Sequence, residues 1–324
     1  MRAEDQDRVG VVVLDDYQDV ALSVANWSPL RARADITVLH EHLGGEDAVV
    51  DRLSGFTVAV AMRERTPFPR SVLERLPNLR LLVTTGMRNA AIDLEAARDL
   101  GVTVCGTGGG AYEAAEHTWA LLMAAARRLD VEIQNVREGG WMTTLGTALQ
   151  GRTLGIVGLG RLGARVAEYA RAFGMDVVAW SHNLTDERCA EVGVRRAASL
   201  DDLLVESDFV SLHLVLGDRS RGLVGRREFG LMKPTAWLVN TSRGPICDEE
   251  ALLDAVRDGV IAGDALDVFA QEPLPADHPL RTTPNVIATP HIGYVTEQAY
   301  AQRYTEAVED VVGWLDGSPL GVLT

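Results

Sequence analysis

The sequence has few cysteines, no long apolar run and no excess of positive charge, and each absence removes a class of protein. Its 3 cysteines, Cys105, Cys189 and Cys247, are scattered and show no CxxC spacing. That pattern favours buried thiols over a disulfide framework or a zinc site. No apolar stretch approaches the roughly 20 residues that a membrane-crossing helix needs, and the run from Trp119 to Ala126 is far too short. A formal net charge of -15 argues against nonspecific contact with nucleic acid or an anionic membrane, because both demand a basic surface. The opening residues, Met1-Arg2-Ala3-Glu4-Asp5-Gln6-Asp7-Arg8, are too acidic for a signal or transit peptide. A cytoplasmic location is the resulting expectation. Internal repeats, low-complexity tracts and long linkers are also missing.

What is present is a globular pattern. The 324 residues suffice for two ordinary domains, and 47% hydrophobic with 24% charged residues is normal for a chain that buries a core. Short apolar runs alternate with helical patterns. Val9 to Leu14, Thr37 to Leu39, Val58 to Ala61, Leu79 to Val83 and Val102 to Val104 read as strands, with helical segments such as Arg70 to Leu76 and Leu94 to Leu100 between them. Their hydrophobicity is continuous rather than alternating, as in strands covered on both faces of a parallel sheet. A glycine-rich break, Gly106-Thr107-Gly108-Gly109-Gly110, precedes a long helix predicted from about Tyr112 to Arg128. A second series then begins, with strands at Leu154 to Val157, Val177 to Trp180, Phe209 to Leu212, Ala236 to Val239, Ile261 to Leu266 and Val286 to Ala288. The segment from Thr296 to Leu315 is again helical. The expectation is an α/β chain with two doubly wound parallel-sheet domains, the second starting near residue 110.

The first chemical signal is Gly158-Leu159-Gly160-Arg161-Leu162-Gly163, at the end of one predicted strand and the start of a helix, with a further strand following. In that context GxGxxG signals a dinucleotide fold rather than a bare turn. Gly158 permits the tight turn, Gly160 lets the backbone approach a pyrophosphate, and Gly163 permits close helix packing. Helix-terminal N–H groups then meet the phosphates. The competing reading is that the glycines serve a turn alone. After the second strand, an acid would bind ribose hydroxyls and repel a 2'-phosphate. This chain has Ser181, His182 and Asn183 there, and no arginine until Arg188. The balance tilts toward NADP over NAD, the alternative being a neutral loop that takes either.

Downstream lie Arg243 in Asn240-Thr241-Ser242-Arg243-Gly244, Glu272 in Asp267-Val268-Phe269-Ala270-Gln271-Glu272-Pro273-Leu274, and His291 in Thr289-Pro290-His291-Ile292-Gly293. Each follows a predicted strand, where ligands bind in open α/β sheets. A planar guanidinium can grip the adjacent carboxylate and carbonyl oxygens of a 2-oxo acid. Hydride delivery leaves an alkoxide, and histidine is the side chain best poised to protonate it near neutral pH. A neighbouring carboxylate favours the imidazolium. The competing reading of Glu272 is an ordinary turn carboxylate. His213 is either a cofactor contact or structural, and His40, His42, His117 and His278 read as structural or solvent-facing. No metal is needed, and no cluster has metal-ligand spacing.

With these motifs the chain resembles the D-isomer-specific 2-hydroxyacid dehydrogenase family over essentially its whole length. That family includes phosphoglycerate dehydrogenases and glyoxylate/hydroxypyruvate reductases. The resemblance implies that Arg243 binds the substrate carboxylate and carbonyl, that His291 is the acid/base, and that Glu272 pairs with it. It implies that Asp267 contacts the nicotinamide carboxamide and that His213, in a V-S-L-H stretch, lies near the adenine end. Thr241 and Gly293, within the same motifs, join the expected cofactor-binding set. The family's substrate loop corresponds to Gly86, Met87 and Arg88, whose backbone N–H groups would hold a carboxylate as a small anion nest. Here the chain reads Gly-Met-Arg-Asn-Ala-Ala-Ile-Asp where many relatives have G-x-G-x-D-N-I-D. Arg63 resembles the arginine of the family's V-R-S-x-T, the alternatives being a substrate contact or a surface salt bridge.

The expected organisation is a flavodoxin-like substrate domain, residues 1–110 completed by the C-terminal helix within 295–324, with a Rossmann NAD(P) domain at 111–294 inserted in it. The active site is expected in the cleft, with hinge closure excluding water. The expected reaction interconverts a 2-oxo acid and a D-2-hydroxy acid. Phosphite-type oxidation on the same scaffold, or a dinucleotide-sensing corepressor-like protein, are the alternatives. A homodimer is implied by the resemblance, with Gly139-Gly140-Trp141-Met142 offering an aromatic to a neighbouring subunit. By itself the apolar helix face fits intradomain core equally well.

Overall fold

Among the described residues, every strand lies in one of two parallel sheets. The computed structural model describes residues 8–109 and 112–324. The acidic N-terminus before Arg8 and the Gly110 end of the glycine-rich break lie outside the described residues. The chain divides into two compact units, Met1–Gly110 with Val295–Thr324, and Ala111–Tyr294.

The first unit contains β1 (Val9–Val13), β2 (Ala34–Val38), β3 (Val58–Ala61), β4 (Leu81–Thr84) and β5 (Thr103–Gly106), in the order β2-β1-β3-β4-β5. This is the flavodoxin-like order, and the strand order reverses between β1 and β3. All four residues of β3 and of β4 are buried, as expected for strands covered on both faces. Leu82, Val104, Phe68 and Val72 belong to the core on one face, each fully buried side chain of this kind contributing about 1.5–3 kcal/mol. The helix Glu297–Leu315 is capped by the Thr296 hydroxyl, which accepts from Ala299 N–H at 3.2 Å, and it buries Tyr300, Tyr304 and Val311. The tail returns to the exposed edge of β5. Val322 bridges Cys105 in antiparallel fashion, Gly106 N–H donates to Gly321 O at 2.9 Å, and Leu323 N–H donates to Val104 O at 2.8 Å.

The second unit contains β6 (Thr153–Val157), β7 (Asp176–Trp180), β8 (Arg195–Arg196), β9 (Phe209–Leu212), β10 (Trp237–Asn240), β11 (Gly263–Leu266) and β12 (Val286–Ala288), in the order β12-β11-β10-β9-β6-β7-β8. This is the Rossmann order with one further strand, reversing between β6 and β9. Side chains alternate between two buried layers. Leu238 and Leu266 face one, while Trp237, Val239 and Ala265 face the other. The long helix expected from about Tyr112 to Arg128 is present. It spans Glu113–Arg127, Arg128 turns left-handed at φ 52°, and a second helix, Leu129–Arg137, follows. Cys105, Cys189 and Cys247 are buried and unpaired. Among the described residues no helix is long and apolar enough to cross a membrane.

Candidate active site

Three consecutive strand ends of the second sheet carry the residues singled out for chemistry. β12 ends at Ala288, and His291 follows in a left-handed conformation with φ 52°. Such a backbone costs of order 1–3 kcal/mol and persists only where its surroundings impose it. Here Asp267, just past β11, supplies that constraint. Its Oδ1 accepts Ile292 N–H at 2.8 Å and the Thr289 hydroxyl at 2.6 Å, and its Oδ2 accepts Gly293 N–H at 2.7 Å. Burial pushes the Asp267 carboxyl up, but hydrogen bonds from His117, Thr289 and Ile292 N–H outweigh it and hold the group below its usual range.

The partner of His291 comes from the neighbouring strand end, after β11. Glu272 Oε1 accepts Phe269 N–H at 2.9 Å, which orients the carboxylate, and Oε2 lies 2.5 Å from His291 Nδ1. With Nδ1–H donated to Glu272, Nε2 is the nitrogen available for acid/base work. Both side chains remain partly open to solvent, at 24% for His291 and 34% for Glu272. The Tyr294 ring stands edge-on to the imidazole at 5.7 Å.

Arg243 follows β10. Asn240 braces its turn, the side-chain amide donating to Arg243 O at 3.1 Å and the side-chain oxygen accepting Ser242 N–H at 3.0 Å. Ser242 in turn donates its hydroxyl to Leu212 O at 2.7 Å. The guanidinium donates to Ser242 O at 2.7 Å. Gly244 has to be glycine, since an added Cβ would sit 2.0 Å from the Phe269 carbonyl carbon. That contact presses the Arg243 turn against the segment that orients Glu272. Thr241 pairs its hydroxyl with that of Thr118 at 2.6 Å.

The glycine motif sits at the point where strand order reverses. Gly158 has φ 107°, and a Cβ on Gly163 would lie 2.1 Å from Gly158 O. Gly160 differs from both. It caps the helix Arg161–Ala172, is exposed, and an added Cβ would meet nothing within 4 Å. Open space before a helix N-terminus fits an approaching pyrophosphate, with Arg161 and Leu162 opening that helix. His213 donates its backbone N–H to Val157 O at 2.8 Å, and its ring nitrogen Nε2 lies 2.8 Å from the Ser211 hydroxyl. Burial holds its imidazole down to about 4, so it is neutral near pH 7.

After β7, Ser181 is partly buried, whereas His182 and Asn183 are exposed. The His182 ring stacks edge-on to Trp180 at 4.9 Å. Arg188, in the helix Asp186–Val192 that follows the loop, donates its Nε to Leu159 O at 3.2 Å inside the glycine motif.

The first unit holds the expected substrate residues. Arg63, itself at φ 54°, donates Nη1 to Thr85 O at 3.1 Å and lies on Gly86, where an added Cβ would be 1.8 Å from Nη1. Gly86 is buried and donates its N–H to Thr84 O at 2.8 Å. The three-donor nest expected from the sequence is thereby reduced to Met87 and Arg88, both exposed. The reason is the tight turn at φ 141°, which points the Gly86 N–H back at β4. Among the described residues, one group of possible metal ligands comes together in this unit, Asp16, Asp19 and His40. The Asp16 carboxylate already accepts Val20 N–H at 3.1 Å and Ala21 N–H at 2.9 Å.

Residues 119–293 match the model of a family described as D-isomer specific 2-hydroxyacid dehydrogenase, NAD binding domain. A glyoxylate reductase from Aeropyrum pernix is 44% identical over 256 residues, covering 76% of this chain and 76% of that protein. A D-3-phosphoglycerate dehydrogenase from Methanocaldococcus jannaschii is 35% identical over 275 residues, covering 84% of this chain and 52% of the relative. The chain thus spans about half the length of that dehydrogenase. The crystal structure of a phosphoglycerate oxidoreductase from Vibrio cholerae superposes with a TM-score of 0.91 at 35% identity, covering 96% of this chain and 100% of the other.

Proposed function

The chain belongs to the D-isomer specific 2-hydroxyacid dehydrogenase family, and from that premise we propose that it interconverts a small 2-oxo acid and a D-2-hydroxy acid, with His291 as the acid/base. The observation that carries this reading is the contact of 2.5 Å between Glu272 and His291, one strand end away from the turn that bears Arg243.

Each residue has a physical task. Arg243 takes the substrate carboxylate and carbonyl oxygens and stabilises the charge that develops on the carbonyl oxygen. His291 delivers the proton from Nε2 to that oxygen and takes it back in the reverse direction. Glu272 fixes the ring through Nδ1 and offsets the charge of the imidazolium. When bound, the nicotinamide dinucleotide supplies the hydride for reduction and accepts it for oxidation. Gly158, Gly160, Arg161, Leu162 and Gly163 would hold its pyrophosphate, and Ser181, His182 and Asn183 its adenosine ribose. His213, Thr241, Asp267 and Gly293 complete the proposed cofactor set.

The preferred cofactor is NADP, because no acid follows β7 and Arg188 reaches the glycine motif. Arg63 with the Gly86, Met87 and Arg88 loop is proposed to select the substrate. A homodimer is also proposed, since Ile133, Val136, Trp141, Met142 and Leu145 are exposed on and after one helix, an apolar surface that a second copy would cover.

The test is to mix the protein with NADPH or NADH and a panel of glyoxylate, hydroxypyruvate, phosphonopyruvate and branched or aromatic 2-oxo acids. Consumption of reduced dinucleotide that disappears in His291→Ala is the expected outcome. A panel without turnover, despite tight dinucleotide binding, would sink the reading in favour of an unusual substrate or a dinucleotide sensor.

A further inference from the structure

The helix Glu113–Arg127 carries a histidine that the proposed reaction leaves without a role. The His117 side chain is 17% exposed, and its Nε2 lies 2.9 Å from the Thr289 hydroxyl and 3.2 Å from Asp267 Oδ1. Thr289 belongs to the turn that bears His291, and Asp267, just past β11, is bonded to that turn. Thr289 lies just before His291, and Asp267 receives the N–H groups of Ile292 and Gly293 just after it. The single left-handed residue of this turn, His291, is therefore pinned from both sides by one carboxylate.

Proton counting defines the part His117 plays. The Thr289 hydroxyl has one proton and two acceptors in reach, Asp267 Oδ1 at 2.6 Å and Leu266 O at 3.3 Å. An N–H from His117 against the Thr289 oxygen occupies a lone pair and leaves the proton for Asp267. The carboxylate then takes the Thr289 hydroxyl and Ile292 N–H at Oδ1 and Gly293 N–H at Oδ2, with the His117 ring 3.2 Å from Oδ1, in a site that is 1% exposed. In so dry a place each lost donor is expensive.

The neighbouring residue repeats the arrangement on the next strand end. Thr118 donates its hydroxyl to Ala114 O at 2.7 Å, so the 2.6 Å contact with Thr241 has Thr241 as donor. Thr241 precedes Arg243 in the turn after β10. Two consecutive residues of one helix thus hold the turn of the proposed acid/base and the turn of the proposed substrate arginine.

We propose that His117 is a positioning residue for His291, acting through Thr289 and Asp267 to fix the left-handed turn, with Thr118 serving the Arg243 turn in the same way. This rests on the reading of His291 as acid/base. His117→Leu removes the donor. It is expected to lower kcat about 10- to 100-fold, the scale of a small misplacement of a reacting group. His117→Gln places an amide N–H near the former Nε2 and is expected to recover most of the lost kcat. Hydrogen exchange at the Ile292 and Gly293 amides is expected to accelerate about tenfold or more in His117→Leu as the turn loosens. Should that variant fail to fold, His117→Asn stays polar but is too short to reach Thr289, and the same two signatures are expected from it. A kcat within about twofold of the parent, or unchanged exchange at Ile292 and Gly293, overturns the proposal. If the parent protein turns over no 2-oxo acid, the assignment of His291 fails on its own, and the exchange measurement still decides whether His117 holds the turn.

Discussion

Glu272 Oε2 lies 2.5 Å from His291 Nδ1, and the same carboxylate is tethered through Oε1 to Phe269 N–H at 2.9 Å. The tether means that the carboxylate approaches the ring from one fixed direction. Glu272→Gln keeps the shape and removes the charge that favours the imidazolium. The expected outcome for the proposed keto-acid reduction is a kcat reduced about tenfold or more at neutral pH. A kcat within about twofold of the parent removes Glu272 from the pair.

Gly244 gives a second prediction. A Cβ at this position meets the Phe269 carbonyl carbon at 2.0 Å, and both atoms are backbone-bound, so no side chain can swing away. Gly244→Ala is expected to destabilise the fold by about 1–3 kcal/mol and to lower kcat through displacement of the Arg243 and Glu272 segments together. Thermal melting and steady-state kinetics on the purified variant check this, and a parent-like melting temperature would show that the turn yields.

Ser181 carries the proposed dinucleotide preference. Ser181→Asp introduces the acid that hydrogen-bonds a ribose and repels a 2'-phosphate. The ratio of kcat/KM for NADPH to that for NADH is expected to fall about tenfold or more, which corresponds to about 1.4 kcal/mol of discrimination. A ratio that does not move places the discriminating contact elsewhere, with Arg188 the next residue to replace.

Asp264 makes stability depend on pH. It lies in β11, fully buried, and neither carboxylate oxygen has a hydrogen-bond partner. Burial holds the carboxyl well above the usual carboxylate range. The folded protein therefore keeps a proton that the unfolded chain releases near pH 4. Folded molecules bind more protons across that window, so stability falls as pH rises from about 4 toward the raised value. Asp264→Asn cannot ionise. Melting temperatures measured from pH 5 to pH 8 are expected to decline less in this variant than in the parent, and equal slopes would contradict the account.

The fold was legible where local chemistry and burial agree. β3 and β4 announce themselves as unbroken apolar runs because both faces of a parallel strand are covered. β8 does not, since it is two exposed arginines paired with Val178 and Ala179 at a sheet edge. The helix end at Arg128 agrees with the sequence reading to within one residue, but the contacts that hold Arg128 were not legible. Its guanidinium is drawn to Asn285 Oδ1 at 2.8 Å and over the Trp237 ring at 5.5 Å, contacts that no local pattern encodes. The glycine motif and the turns bearing Arg243, Glu272 and His291 were readable because each is a short segment with its own geometry. His117 was not, because its Thr289 partner stands 172 positions away. The Gly86 N–H was assigned to an anion nest for the opposite reason, its true acceptor being only two residues back at Thr84.

The way the tail closes the first sheet has a consequence for synthesis. The second unit is one uninterrupted stretch of chain, whereas the first is made from two stretches, and its β5 edge is met by residues 321–324. A growing chain translates β1 to β5 first but carries an open edge, with Cys105 at it, until the helix Glu297–Leu315 and the tail have emerged. An open edge is a template for the wrong partner. On the ribosome, then, the later-made second unit can reach its final fold before the earlier-made first unit does.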